Sequence, residues 1–381
     1  MKVNYDFYDG QDSYTDGEVE KDIIQYLKEY GEENYQEIFK KDIRWPVFYH
    51  ITPLRKNIIQ WYPFKEESEV LEIGAGMGAI TKALCDKAKQ VTAVELSKQR
   101  ASAIEARCEE KENLEIIVGN FNAIKFNKKF DYITLIGVLE YAPLYTGTEK
   151  PFHDFLKKIK SLLKEDGKLL IAIENQFGMK YFSGASEDHT GRAYDGITGY
   201  ENIQNVRTYG KDEIKQILEE SGFGYTKFYY PLPDYKLPNV MFSDEYLPNI
   251  ENIQKYTPYL SEEGRSVKYD EKKAYIEIIK NHKFDFFANS FFIEASMIES
   301  KTEVDLSKQQ LIPIDDTMQK FYQKHFQIEK VGATKNIELE ELKEKNQKLS
   351  EELRNVIHSK SWKITRPLRE IRNKRKKEKG Q

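Results

Sequence analysis

The spacing of apolar positions changes character along this chain. Over the first sixty residues it is helical: after a turn at Tyr8, Asp9 and Gly10, residues Ile23, Ile24, Leu27 and Tyr30 form one stripe, and Gly31 is placed to stop it. Thr52-Pro53 reads as an N-cap followed by proline at the first helical position, with Leu54, Ile58 and Trp61 on one face and Pro63 as the stop. From Glu69 short β-rich runs alternate with helical segments, the signature of βαβ units on a parallel sheet. Strands are predicted at 69–73, 90–95, 114–118, 130–136 and 168–174, with helices at 80–87, 98–107 and 152–164. The last of these closes at Glu165-Asp166-Gly167, where glycine can take a left-handed turn. A helix over 211–221 and two further runs, 225–230 and 285–295, predict an antiparallel finish.

Two connections, 176–210 and 231–282, exceed the usual length of a structureless loop and are expected to be functional insertions. Beyond Ser300 the chain turns polar, and a heptad seam places Leu339, Asn346 and Leu353 at one core position and Leu342, Leu349 and Val356 at the other. The predicted organisation is a helical leader or lid at 1–62, an α/β domain at 63–300, a linker at 301–335, a short coiled coil at 336–358 that could pair two copies, and a basic tail at 359–381.

Composition narrows the class. In 381 residues, 39% hydrophobic and 32% charged, there is material for a sizeable core and no low-complexity signature. Cys85 and Cys108 have no CxxC spacing and are expected to be free thiols in a reducing compartment. No apolar run reaches the roughly 18 residues of a membrane span, and no signal-peptide pattern opens the chain, so a cytoplasmic location is expected. The net charge of −4 hides an asymmetry: residues 360–381 hold ten Lys or Arg against two Glu, which leaves the remainder at −12. By charge the body is not a nucleic-acid surface. The tail, with Trp362, Ile364, Leu368 and Ile371 among its cations, suits an anionic membrane face.

The chemistry is concentrated at Glu72-Ile73-Gly74-Ala75-Gly76-Met77-Gly78, between a predicted strand and a helix. Glycines there permit a tight turn and close backbone approach to a ligand. Glu95 ends the next strand, where a carboxylate can take a ribose diol. Gly74-x-Gly76-x-x-Ala79 also satisfies a dinucleotide fingerprint, so spacing alone leaves two adenosine ligands open.

The flanks separate them. Glu72, Gly74, Gly76 and Gly78, followed by Val94-Glu95-Leu96-Ser97, resemble the first two motifs of the class I S-adenosylmethionine-dependent methyltransferases, and the similarity extends over about 69–295. The resemblance implies a Rossmann-like, seven-stranded, mostly parallel sheet, S-adenosylmethionine as methyl donor, and no metal. It places Glu95 on the ribose and Asn120-Phe121 at the adenine, with Asn120 standing where the family usually has Asp. Gly137 to Tyr141, including Glu140, is similar to the segment facing the donor. Residues 71–81 and 91–95 also resemble the ribosomal RNA adenine dimethylases, but the Asn-(Leu/Ile)-Pro-(Tyr/Phe) motif of those enzymes is replaced by Gly137-Val138-Leu139-Glu140-Tyr141.

On the acceptor side, the loop from Asn175 to Arg192 follows the fifth strand at its carboxyl end, the ligand-binding edge of open α/β sheets. A sugar hydroxyl needs a general base, and His189 oriented by a carboxylate fits, making His189, Asp188 and Glu140 the catalytic candidates. The stretch from Ser13 through His189 resembles methyltransferases encoded with bacterial surface-polysaccharide assembly enzymes, and 359–369 is similar to a terminal element of glycosyltransferases in such pathways. The reading that results is O-methylation of a sugar or glycan intermediate, with a glycosyltransferase partner and peripheral contact at the inner membrane face. Methylation of a protein or small-molecule nitrogen or carboxylate, or a cofactor-binding scaffold without turnover, are the alternatives.

Overall fold

In a computed structural model of the chain, residues 1–12, 15–201, 203–254, 268–300, 302–325 and 348 are described. They include nine strands: β1 (Lys2–Phe7), β2 (Glu69–Ile73), β3 (Gln90–Glu95), β4 (Leu114–Gly119), β5 (Phe130–Ile136), β6 (Leu163–Glu174), β7 (Tyr225–Leu232), β8 (Val240–Ser243) and β9 (Ser290–Ser296). All lie in one sheet, ordered β1-β4-β3-β2-β5-β6-β9-β7-β8. The first six are mutually parallel; β9, β7 and β8 join by antiparallel pairings, so β9 and β8 run against the first six and β7 with them. Seven strands were expected, and the two additions are both edge strands. β1 falls in the stretch read as helical leader and covers the free edge of β4, while β8 falls in the second insertion and pairs with β7.

Strand alternation divides the core. Leu71, Ile73, Ile171 and Ile173 face one layer, with Phe155 and Leu156 of the helix Pro151–Leu162 and Ile214 of Lys211–Glu220. Their neighbours Val70, Val91, Ala93, Leu170 and Ala172 face the other, under Ile80, Leu84 and Ile104. Gly167 does not adopt the left-handed turn expected of it. Its φ is not positive, and a Cβ there would lie 2.9 Å from the Phe130 carbonyl, so close strand approach is what requires glycine. β6 accordingly starts at Leu163, before the position the sequence indicated.

The helices Val19–Tyr30, Tyr35–Lys41 and Trp45–Ile51 form a third cluster with Met318 and Phe321 of the helix Asp316–His325. Two buried arginines on the helix Lys98–Arg107 tie this layer to the sheet. Arg100 pairs with Glu20 at 2.8 Å and Asp16 at 2.9 Å, and Arg107 pairs with Glu32 while donating to the carbonyls of His50 at 2.7 Å and Met77 at 3.0 Å. Cys85 and Cys108 are buried free thiols. No helix among the described residues is long and apolar enough to cross a membrane. Apart from residue 348, the expected coiled coil at 336–358 lies outside the described residues, as do the basic tail at 359–381 and the rest of the second of the chain's two compact units, 327–381.

Candidate functional site

Parallel strands end together, and the glycine loop leaves β2 at that edge. Gly74, Gly76 and Gly78 have φ of 76°, 56° and 80°, left-handed values that a side chain resists. A Cβ on Gly74 would meet Val138 Cγ2 at 2.5 Å, and one on Gly78 would meet the Ile104 backbone at 3.1 Å. The loop walls a cavity of about 270 Å³, which Glu72, Glu95, Asn120, Phe121, Tyr141 and Arg55 also line.

Glu95 Oε2 accepts from the Gly76 N–H at 2.7 Å and Oε1 from the Ser97 N–H at 2.9 Å, so the carboxylate braces the loop and keeps spare lone pairs at the cavity. Burial raises its pKa, while the N–H groups of Ser97 and Gly76 oppose the rise. Burial pushes Glu72 up to about 8, and its Oε2 has no hydrogen-bond partner among the described residues. Asn120 Oδ1 caps the short turn Phe121–Ala123 through the Asn122 N–H at 2.9 Å.

A second chamber of about 510 Å³ adjoins the first and shares Gly137, Tyr141, Tyr49, His50 and Asp16 with it. Its floor is charged. His189 Nδ1 bonds Glu187 Oε1 at 2.8 Å, and its Nε2 faces Glu140 Oε1 at 3.5 Å and Glu174 Oε2 at 3.9 Å. Glu187 Oε2 also accepts the N–H groups of His189 at 2.8 Å and Thr190 at 2.7 Å, which fixes the loop around the imidazole. Beside this group, Lys180 pairs with Asp234 at 2.7 Å and Asp188 at 2.9 Å, and Lys236 bridges Asp188 and Glu174. Burial opposes charge on Asp188, but Lys180 and Lys236 overcome it and hold the carboxyl well below the usual range. Trp45, Tyr49 and Tyr235 add aromatic walls.

A family model described as a methyltransferase domain matches residues 47–227. An uncharacterized methyltransferase of Staphylococcus carnosus is 31% identical over 156 residues, covering 41% of this chain and 70% of that protein. The chain belongs to the class I S-adenosylmethionine-dependent methyltransferases. Ribosomal RNA small subunit methyltransferase A of Malacoplasma penetrans is 34% identical over 89 residues, and the chain spans only 32% of its length. Among solved structures, a putative methyltransferase of Bacillus halodurans aligns over 64% of this chain and 99% of its own at 17% identity and a TM-score of 0.37.

Of the residues singled out for the donor, Glu72, Gly74, Gly76, Glu95, Asn120 and Phe121 line one cavity of the methyltransferase, whereas Gly78 packs against Ile104 and Glu140 lines the second chamber. On the acceptor side the structure changes one residue. Asp188 does not orient His189; the adjacent Glu187 does, because the turn at 187–190 folds its carboxylate back over the ring while Asp188 is held by lysines. Burial opposes charge on His189, yet the carboxylates of Glu140, Glu187 and Glu174 raise its pKa to about 11. Glu140, expected on the segment facing the donor, is buried in that cluster instead, and burial raises its pKa. Sequence reading missed Glu174, Lys180 and Lys236, whose partners are remote in the chain. Within the predicted leader or lid, Tyr49, His50 and Arg55 line the cavity, whereas Trp61 and Tyr62 pack into the core beside Phe292.

Proposed function

We propose that this methyltransferase moves a methyl group from S-adenosylmethionine to an oxygen of a polyhydroxylated acceptor, a sugar or glycan intermediate. The observation that carries the reading is the second chamber. It opens beside the donor cavity across Gly137 and Tyr141, and it combines aromatic walls with a dense set of fixed donors and acceptors. Carbohydrates are bound by that combination, ring faces on aromatics and hydroxyls on charged groups. The resemblance of the first half of the chain to methyltransferases of surface-polysaccharide assembly points to the same acceptor class.

In this reading Glu95 takes the ribose, Asn120 and Phe121 flank the adenine, and Glu72 and Arg55 face the amino-acid end, supplying one charge of each sign. Arg55 is fixed for that task by its contact over the Tyr49 ring at 4.2 Å and its hydrogen bond to the Lys236 carbonyl at 3.1 Å. The sulfonium supplies an activated methyl, so the chain's own work is alignment and activation of the acceptor oxygen. The Glu140, Glu174 and His189 group is where that activation takes place.

The test is transfer of labelled methyl from the donor to nucleotide sugars, lipid-linked glycans, small amines and ribosomal RNA. Label in a sugar fraction as an acid-stable ether is expected. Label in amine or RNA instead overturns the acceptor class, and donor binding with no transfer to any panel favours a scaffold role.

A further inference from the structure

We propose that Glu140, Glu174 and His189 form a binding site for one divalent first-row transition-metal ion, such as Mn²⁺, at the floor of the acceptor chamber. The three come from different parts of the chain, the turn after β5, the end of β6 and the loop beyond it, and their donor atoms lie within 4.8 Å of one another. They converge at long range: His189 Nε2 stands 3.5 Å from Glu140 Oε1 and 3.9 Å from Glu174 Oε2, the outer limit of an ion pair rather than a tight hydrogen bond. Ligands about 2.1 Å from a common ion are separated by roughly 3.0 to 3.5 Å in octahedral or tetrahedral geometry, so small side-chain shifts close the site.

Two independent features indicate an absent ligand. Glu140 and Glu174 are each 99% buried, and each has a carboxylate oxygen with no hydrogen-bond partner among the described residues. Orphaned anionic oxygens inside a protein are costly unless a cation meets them. The other ring nitrogen of His189 meets Glu187 at 2.8 Å, the carboxylate–histidine relay that commonly fixes a metal-binding imidazole with its lone pair toward the ion. Lys236 holds Glu174 Oε1 and leaves Oε2 directed at the group. One imidazole with two carboxylates suits manganese or zinc better than magnesium, which favours oxygen alone. Among the described residues no other His, Cys, Asp and Glu group has this convergence.

An ion there would ligate an acceptor hydroxyl and lower its pKa, giving the oxygen activation that the proposed reaction needs. That clause rests on the acceptor reading; the site itself does not. Chelator-stripped full-length protein is titrated with Mn²⁺ by calorimetry and by the loss of free-ion electron paramagnetic resonance signal, with Zn²⁺ as competitor. One ion per chain with micromolar affinity is expected, weakened at least tenfold in His189→Ala and Glu174→Gln and also weakened in Glu187→Gln. S-adenosylmethionine affinity, measured on the same samples, stays within twofold and verifies that the variants are folded. Absence of Mn²⁺ and Zn²⁺ binding by the stripped protein, or binding undiminished in both ligand variants, overturns the site. Metal binding without sugar methylation leaves the site standing and removes the acceptor reading, whereas sugar methylation indifferent to chelator does the reverse.

Discussion

Glu72 couples donor binding to protons. Its carboxyl, raised to about 8 by burial, carries a proton at neutral pH, and a cationic ligand favours the ionised form. Binding S-adenosylmethionine below pH 8 therefore expels a proton, so affinity should rise between pH 6.5 and 8 and level off above. Calorimetry in two buffers of different ionisation enthalpy reads the released proton directly; none released at pH 7 would sink the linkage. Glu72→Gln should flatten the pH profile and weaken binding by about tenfold, roughly 1.4 kcal/mol. His189→Ala should separate the two chambers functionally, lowering kcat at least a hundredfold while the donor Kd moves less than twofold. Unchanged turnover in a steady-state assay removes His189 from the reaction.

The glycine loop and the Arg107 clasp matter as whole elements. Gly74→Ala forces a left-handed φ on a side chain and drives its Cβ into Val138, so donor binding should be lost in calorimetry even where circular dichroism shows the fold retained. Glu32 is buried between Arg107 and Lys56; burial alone would raise its pKa, but the two cations bring it down to about 2. A lowered carboxylate pKa gives stability that is complete above pH 4.5 and lost as pH falls from there through 2. Glu32→Gln should cost about 3 kcal/mol at pH 7, and the deficit should shrink below pH 4 in urea unfolding. A pH-independent deficit would contradict the ion-pair origin. These elements also show what the sequence made legible. The glycine loop and Glu95 were readable because their spacing is local and a strand must precede the turn. β1 carried a signal in the alternation of Val3, Tyr5 and Phe7, but the helical spacing that follows dominated the reading. Glu174 was hidden because its importance depends on His189 and Lys236, 15 and 62 positions away.

At the scale of the whole molecule, charge and structure part company at about residue 326. The site residues all belong to the first compact unit, while the cationic tail, +8 over residues 360–381, belongs to the second. Truncation after residue 358 should leave donor affinity within twofold and abolish pelleting with anionic liposomes; equal pelleting of both forms would dispose of a membrane role for the tail. Within the first unit the chain is tied end to end. Asn57 donates to the carbonyls of Pro238 and Ile312 and accepts from the Ile312 N–H, and Phe48 stacks on Phe321 at 3.9 Å. The seam between the leader and the later chain thus joins residues 255 positions apart. During synthesis at 5 to 20 residues per second, Asn57 waits about 13 to 50 s for its partner to be made. Through that interval Phe39 and Phe48 have each other but not Phe321, so a ribosome-bound chain offers a greasy surface to chaperones until residues 312–321 have been made.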